Sequence, residues 1–182
     1  MKTSKAPSAS MQDVEHTESL LAGCRQCLGQ CQELLQLVDA DVFARAAENC
    51  SSIGAHLRHV LDRFQSFFNG LQSDCIDYDE RRRDASIEAN LEAANFALTT
   101  TVRRMRELSA NDLQGRAIAI RESVHTETPP TCLDSTIERE LMALVTHTTH
   151  HLALIAVILR QQGMALDSHF GKAPSTIRHE QS

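Results

Sequence analysis

The sequence predicts an all-α protein, an antiparallel four-helix bundle with a short extended segment before the last long helix. Three observations carry this. Ala, Leu, Gln, Glu and Arg are plentiful, while the 182 residues hold only 7 Gly and 4 Pro, a composition that favours helices over sandwiches or barrels. Four separate stretches repeat apolar residues at helical spacing. The links between them look short and polar, which suits antiparallel neighbours. The length fits one domain: residues 1–11 read as a disordered tail and 12–182 as a single helical domain.

The first helix is expected from Thr17 to about Val38, where Leu20, Leu21, Cys24, Cys27, Leu28, Cys31, Leu34, Leu35 and Val38 share a face. The stretch NCSS then offers Ser51 or Ser52 as a cap for the next helix. That helix should run from about Ile53 to Phe68 and stop at Asn69-Gly70. SDCIDYDERRRD is polar and charged and reads as a connection. A third helix is expected over roughly Ile87 to Leu108, with Leu91, Ala94, Phe96, Leu98, Val102 and Met105 apolar. GRAIAIRESVHTETPPT alternates Ala117, Ile118, Ala119, Ile120 and Arg121 and breaks at Pro129-Pro130, which predicts a short strand or extended pair. The fourth helix should open at Asp134 or Ser135, with Ser135 and Glu138 as a capping box. It should end near Gln162, before Gly163. The closing DSHFGKAPSTIRHEQS is expected to wrap back over the helices.

Charge and composition exclude some functions. A net charge of −6 lacks the basic footprint of a nucleic-acid binder and of an electrostatic membrane anchor. The longest apolar run, LALIAVIL, is too short to span a bilayer. The N-terminus lacks a signal peptide's apolar core. A soluble, cytoplasmic protein is therefore expected, with its six cysteines reduced. Cys24, Cys27 and Cys31 share one helical face. Burial as small hydrophobes explains them better than a metal or redox role. Arg81, Arg82 and Arg83 sit among Asp77, Asp79, Glu80 and Asp84, which suggests internal ion pairs. LALIAVIL is apolar nearly all round, with Leu154 and Ile158 pointing away from the main core face. A second chain covering that side would make a homodimer.

The chemistry concentrates in THTTHHLAL. His147 and His151 are four apart, so their imidazoles share one face of a helix and can reach a common point. They fall at the edge of the apolar face marked by Leu141, Leu144, Ile155 and Leu159, and His150 points away. Two ligands make a weak site, so a third should come from a facing helix, as bundle metal sites are commonly built. SIGAHLRHVLDRF supplies His56 and His59. The helical wheel places His56 slightly nearer the core, and either remains open on spacing alone. An ordinary polar histidine at a helix edge is the competing explanation, and the coincidence of two clusters speaks against it. Glu140 and Arg63 flank these histidines, and a solvated salt bridge is the expected role of each.

SIGAHLRHVLDRF and THTTHHLALIAVILRQQG, with the intervening DYDERRRD and the closing FGKAPSTIR, resemble the DinB/YfiT-like family over about Thr17 to Arg178. The resemblance implies a four-helix bundle, often dimeric, with a divalent metal held by three histidines. It places the ligands at His59, His147 and His151 and leaves His56 to support them through a hydrogen bond. Three imidazoles leave a coordination position open, as catalytic sites do. The implied activity is metal-dependent activation of a thiol or water, by a thiol S-transferase or a hydrolase. A low-molecular-weight thiol is the implied kind of small-molecule substrate. Zn(II), Ni(II) and Fe(II) all accept this donor set. A non-catalytic metal- or small-ligand-binding bundle is the alternative.

Overall fold

The computed structural model describes residues 11–182 apart from positions 47 and 49. Residues 1–10 of the expected tail lie outside the described residues, and Met11 already opens the first helix. The elements in order are α1 (Met11–Leu37), α2 (Ala40–Ala44), α3 (Ile53–Ser73), β1 (Cys75–Asp77), α4 (Ala85–Ala89), α5 (Leu91–Glu107), α6 (Ala110–Leu113), β2 (Ala117–Glu122), β3 (Thr131–Thr136), α7 (Ile137–Gln161) and α8 (Pro174–Glu180). The protein is mostly helical, and it also carries a small mixed sheet.

Four helices are long: α1, α3, α5 and α7. Helix α1 packs on α5 and α7, and α3 packs on the same two. Their facing stripes make one core, with Leu21, Leu28 and Leu34 from α1, Leu57, Phe64 and Phe67 from α3, Leu98 and Met105 from α5, and Leu141, Leu144, Ile155 and Leu159 from α7. Each such side chain contributes roughly 1.5–3 kcal/mol by leaving water.

The helices do not all alternate in direction. Contacts between α1 and α7 rise together along both chains, from Thr17 on Glu138 to Cys24 on Leu141 and Cys27 on Val145, so these two run parallel. Contacts between α3 and α7 run oppositely, His59 meeting His147 and His56 meeting His151. The link after α3 explains the departure from a fully antiparallel order. Helix α3 spans roughly 30 Å at 1.5 Å per residue, and an extended link over 74–84 reaches about as far. It returns the chain to the start of α3, where a Cβ on Gly54 would overlap the Glu88 carbonyl oxygen of α4. Helix α5 therefore starts beside the N-terminal end of α3.

Several expected boundaries move. Ser52 caps α3 by accepting from the Ala55 amide. That helix does not stop at Asn69-Gly70 but continues to Ser73 and ends at Asp74, with φ 56°. Gly70 is instead a point of close approach, since a Cβ there would overlap Ile76 of β1. Asn90 separates α4 from α5 and caps α5 with its side chain, accepting from the Glu92 and Ala93 amides. Residues Asp134 and Ser135 belong to β3, so α7 starts at Ile137 under a Thr136 cap, and Ser135 makes no capping box. Gly163, at φ 78°, follows its end as expected.

The extended pair is present as β2 and β3, which pair antiparallel. Strand β1, inside the segment expected to be a plain connection, pairs parallel to β2 with Cys75 opposite Ala119. Its alternation places Ile76, like Tyr78 just beyond it, in the core. The tail does fold back: Phe170 is buried, the Gly171 amide donates to Gln30 of α1, and a Cβ on Gly171 would meet the backbone of α7 at Leu152.

Cys24, Cys27 and Cys31 are free and buried in the α1 face, while Cys50 and Cys132 are exposed. Burial pushes the Cys24 thiol up to about 12. By length and composition alone, α7 is long and apolar enough to cross a membrane, a test LALIAVIL by itself does not meet. The core helix of a globular protein passes the same test; α7 packs on α1 and α3, with 33% of its most apolar window buried.

Candidate metal centre

Helices α3 and α7 cross where each carries histidines. The i, i+4 spacing puts His147 and His151 on one face of α7, with ring centroids 4.6 Å apart. His59 of α3 stands over both, its centroid 4.9 Å from His147 and 4.8 Å from His151. One nitrogen from each of the three lies within 4.8 Å of the others. His150 is exposed, but it does not point clear of the cluster as expected: its ring meets the His151 ring edge-on, with centroids 5.4 Å apart.

His56 stands outside this group. The helical wheel favours His56, but the helices cross, and one turn along α3 the facing partner changes. Of the three clustered rings, His56 makes a direct contact with that of His151 among the described residues, with the two Nδ1 atoms 3.0 Å apart. Such a bond fixes the orientation and tautomer of a ligating imidazole.

The charge state suits ligation. Burial lowers His59 to about 4, with the nearby Arg81, Arg63 and Arg58 charges adding to the effect. Burial also lowers His147 to about 3, helped by Arg63, and His151 to about 4, helped by His59 and His56. All three rings are therefore neutral near pH 7, the form that binds metal. Nε2 of His147 is buried and has no hydrogen-bond partner. A buried polar atom without a partner is costly, and a metal ion is a partner that this nitrogen-only donor set fits. Nitrogens about 2.0–2.1 Å from a tetrahedral ion stand about 3.3 Å apart, so the three would draw closer together to hold an ion.

The sheet brings further residues to this face. Tyr78, just past β1, donates from its hydroxyl to Oε2 of Glu140 at 2.7 Å, and Ser135 donates to Oε1 at 2.6 Å. Glu140 is only 3% exposed, so the solvated salt bridge expected of it does not exist. Its carboxylate is a buried anchor joining β1, β3 and α7. Arg63 does form an ion pair, with Glu122 at the end of β2, but its side chain is largely buried rather than solvated, and its guanidinium lies 3.7 Å above the Tyr78 ring.

Arg81, in the loop after β1, donates from Nη1 to Nδ1 of His59 at 3.1 Å. The internal ion pair expected for it is absent among the described residues, because Asp77 is held by Arg121 and Asp79 by Ser123. Neither Tyr78 nor Arg81 was singled out for this site from sequence. The one available signal was Ile76 and Tyr78 alternating inside a polar segment. A cavity of about 310 Å³ opens between α3, α4 and α5, beside Asp62, Gln65 and Ile87. None of the three clustered histidines lines it.

The family model described as the DinB family matches residues 11–168. The chain belongs to the DinB family. This is a metal-associated family, in keeping with a histidine triad able to hold an ion. A DinB-like protein from Bacillus subtilis has a similar fold, with a TM-score of 0.50 and 18% identity over 85% of this chain and 94% of that one. A DinB-like protein from Bacillus cereus gives a TM-score of 0.50 and 17% identity over 83% and 95%. A protein described as FK506-binding protein 5 from Rhizopus delemar is 29% identical over 104 residues, 57% of this chain. The match spans only 27% of that protein's own length.

Proposed function

We propose that this DinB family member is a metal-dependent enzyme in which His59, His147 and His151 hold one divalent ion. The observation that carries the reading is the unpartnered, buried Nε2 of His147 inside a cluster of three neutral imidazoles. The ion would be Zn(II), Ni(II) or Fe(II). Bound there with an open position, it would lower the pKa of a coordinated thiol or water and make a nucleophile near neutral pH. The reaction class is thiol S-transfer or hydrolysis, and a low-molecular-weight thiol is the favoured substrate.

The chain's own residues supply the frame. His56 holds the His151 ring through the Nδ1 contact. Tyr78, Ser135 and Glu140 lock the sheet to the start of α7. We further read the four long helices as a bundle, with two parallel and two antiparallel neighbour pairs. Met142, Leu154 and Val157 leave apolar surface on α7, and we read this as the contact of a homodimer.

The second reading, a non-catalytic metal-binding protein, keeps the triad and drops the chemistry. Turnover separates the two. The metal-loaded protein is mixed with a small thiol and an electrophile such as monobromobimane, and product is followed against the metal-free protein. Metal-dependent turnover lost in His147→Ala supports the enzyme. Metal binding without any turnover of thiol or ester substrates leaves the binding protein.

A further inference from the structure

We infer that Arg81 is a substrate-binding residue set free by metal loading, and that the ligand it takes carries a carboxylate close to the atom that meets the metal. The inference rests on the triad reading above.

A neutral imidazole has one nitrogen with a proton and one without. Nδ1 of His59 accepts from Arg81, so the His59 proton sits on Nε2. A metal requires a bare nitrogen. If it takes Nδ1, the guanidinium must leave. If it takes Nε2, the proton moves to Nδ1 and an N–H then faces an N–H. In both cases the Arg81–His59 contact breaks. The His56–His151 contact differs, because a metal on Nε2 of His151 leaves Nδ1–H free to donate to His56.

Once displaced, Arg81 keeps its charge and stays beside the site. Its loop is pinned on one side by Tyr78 on Glu140. It is pinned again by Asp79, which accepts from the Ser123 amide and hydroxyl. Several acidic groups around it have other partners, Asp62 with Arg58, Asp77 with Arg121 and Glu122 with Arg63, although the Arg81 charge also acts on Asp62. Nε of Arg81 is already buried without a partner. A guanidinium fork that pairs with no carboxylate among the described residues, next to an open metal position, suits a bidentate carboxylate brought by the ligand.

The test uses the cobalt-loaded protein, with mercaptoacetate and 2-mercaptoethanol as probes and thiolate-to-cobalt absorption as the readout. The wild type should bind mercaptoacetate at least about tenfold tighter than 2-mercaptoethanol. Arg81→Met should lose that preference while binding 2-mercaptoethanol as before. It should also take cobalt from a competing chelator more readily than the wild type does, because the competitor for His59 is gone. A wild type with no preference, or an Arg81→Met variant that retains it, overturns the inference and leaves the metal reading standing. Failure of the wild type to bind cobalt overturns both. Should Arg81→Met not fold, Arg81→Gln serves the same comparison.

Discussion

Nδ1 of His56 lies 3.0 Å from Nδ1 of His151, and while this contact stands a metal can use only Nε2 of His151. His151 is then the donor and His56 the acceptor. Residues that orient ligating histidines typically contribute 10–100-fold in metal affinity. His56→Ala should therefore weaken metal binding by about 10–100-fold while leaving the saturating stoichiometry unchanged. Chelator competition measures this, and an unchanged affinity would remove His56 from the account.

The metal-free protein should lose stability as the pH falls from about 7 to about 5. In the unfolded chain His59, His147 and His151 take up protons near the ordinary value of 6.5. In the folded chain they do so only near 4, 3 and 4. The unfolded state binds more protons across this window, so stability is complete above about 6.5 and declines below it. Urea midpoints in the presence of chelator measure the effect. His147→Phe should flatten the dependence, and a wild-type midpoint that does not move would contradict it.

Tyr78→Phe removes one of the two side-chain hydroxyls that satisfy the buried Glu140 carboxylate. The expected loss is about 1.5–3 kcal/mol, the range for hydrogen bonds to charged groups. Urea unfolding of the metal-free variant reads it directly. A loss within error of zero would mean that Glu140 is not the anchor described.

Thiol labelling under native conditions should divide the cysteines. Cys50 and Cys132 are exposed and should react quickly with a maleimide. Cys24 and Cys31 are buried, and burial raises both thiols, so they should react only after unfolding, because the thiolate is the reactive form. Rapid labelling of Cys24 in the folded protein would show that the α1 face opens.

The long helices were legible because their apolar period is strong over many turns, and the His147/His151 pair followed from spacing alone. The third position was not. The wheel weighs His56 and His59 on one helix, while the crossing of α3 over α7 decides which of them meets both partners. Helix direction was missed for a related reason: the 74–84 link was read for its polarity and not for its reach. Glu140 and Arg81 were misassigned because charged residues near one another in sequence suggest ion pairs. Here the fold gave Glu140 a tyrosine and a serine, and gave Arg81 a histidine.

The central claim is that His59, His147 and His151 hold a metal ion, and metal content by mass spectrometry tests it most directly. The untagged protein, purified without chelator, should carry near-stoichiometric divalent metal. His59→Ala and His147→Ala should lose it, and His150→Ala should keep it. No metal in the unmodified protein, even after incubation with Zn(II), Ni(II) or Fe(II), would leave three ordinary half-buried histidines and contradict the account.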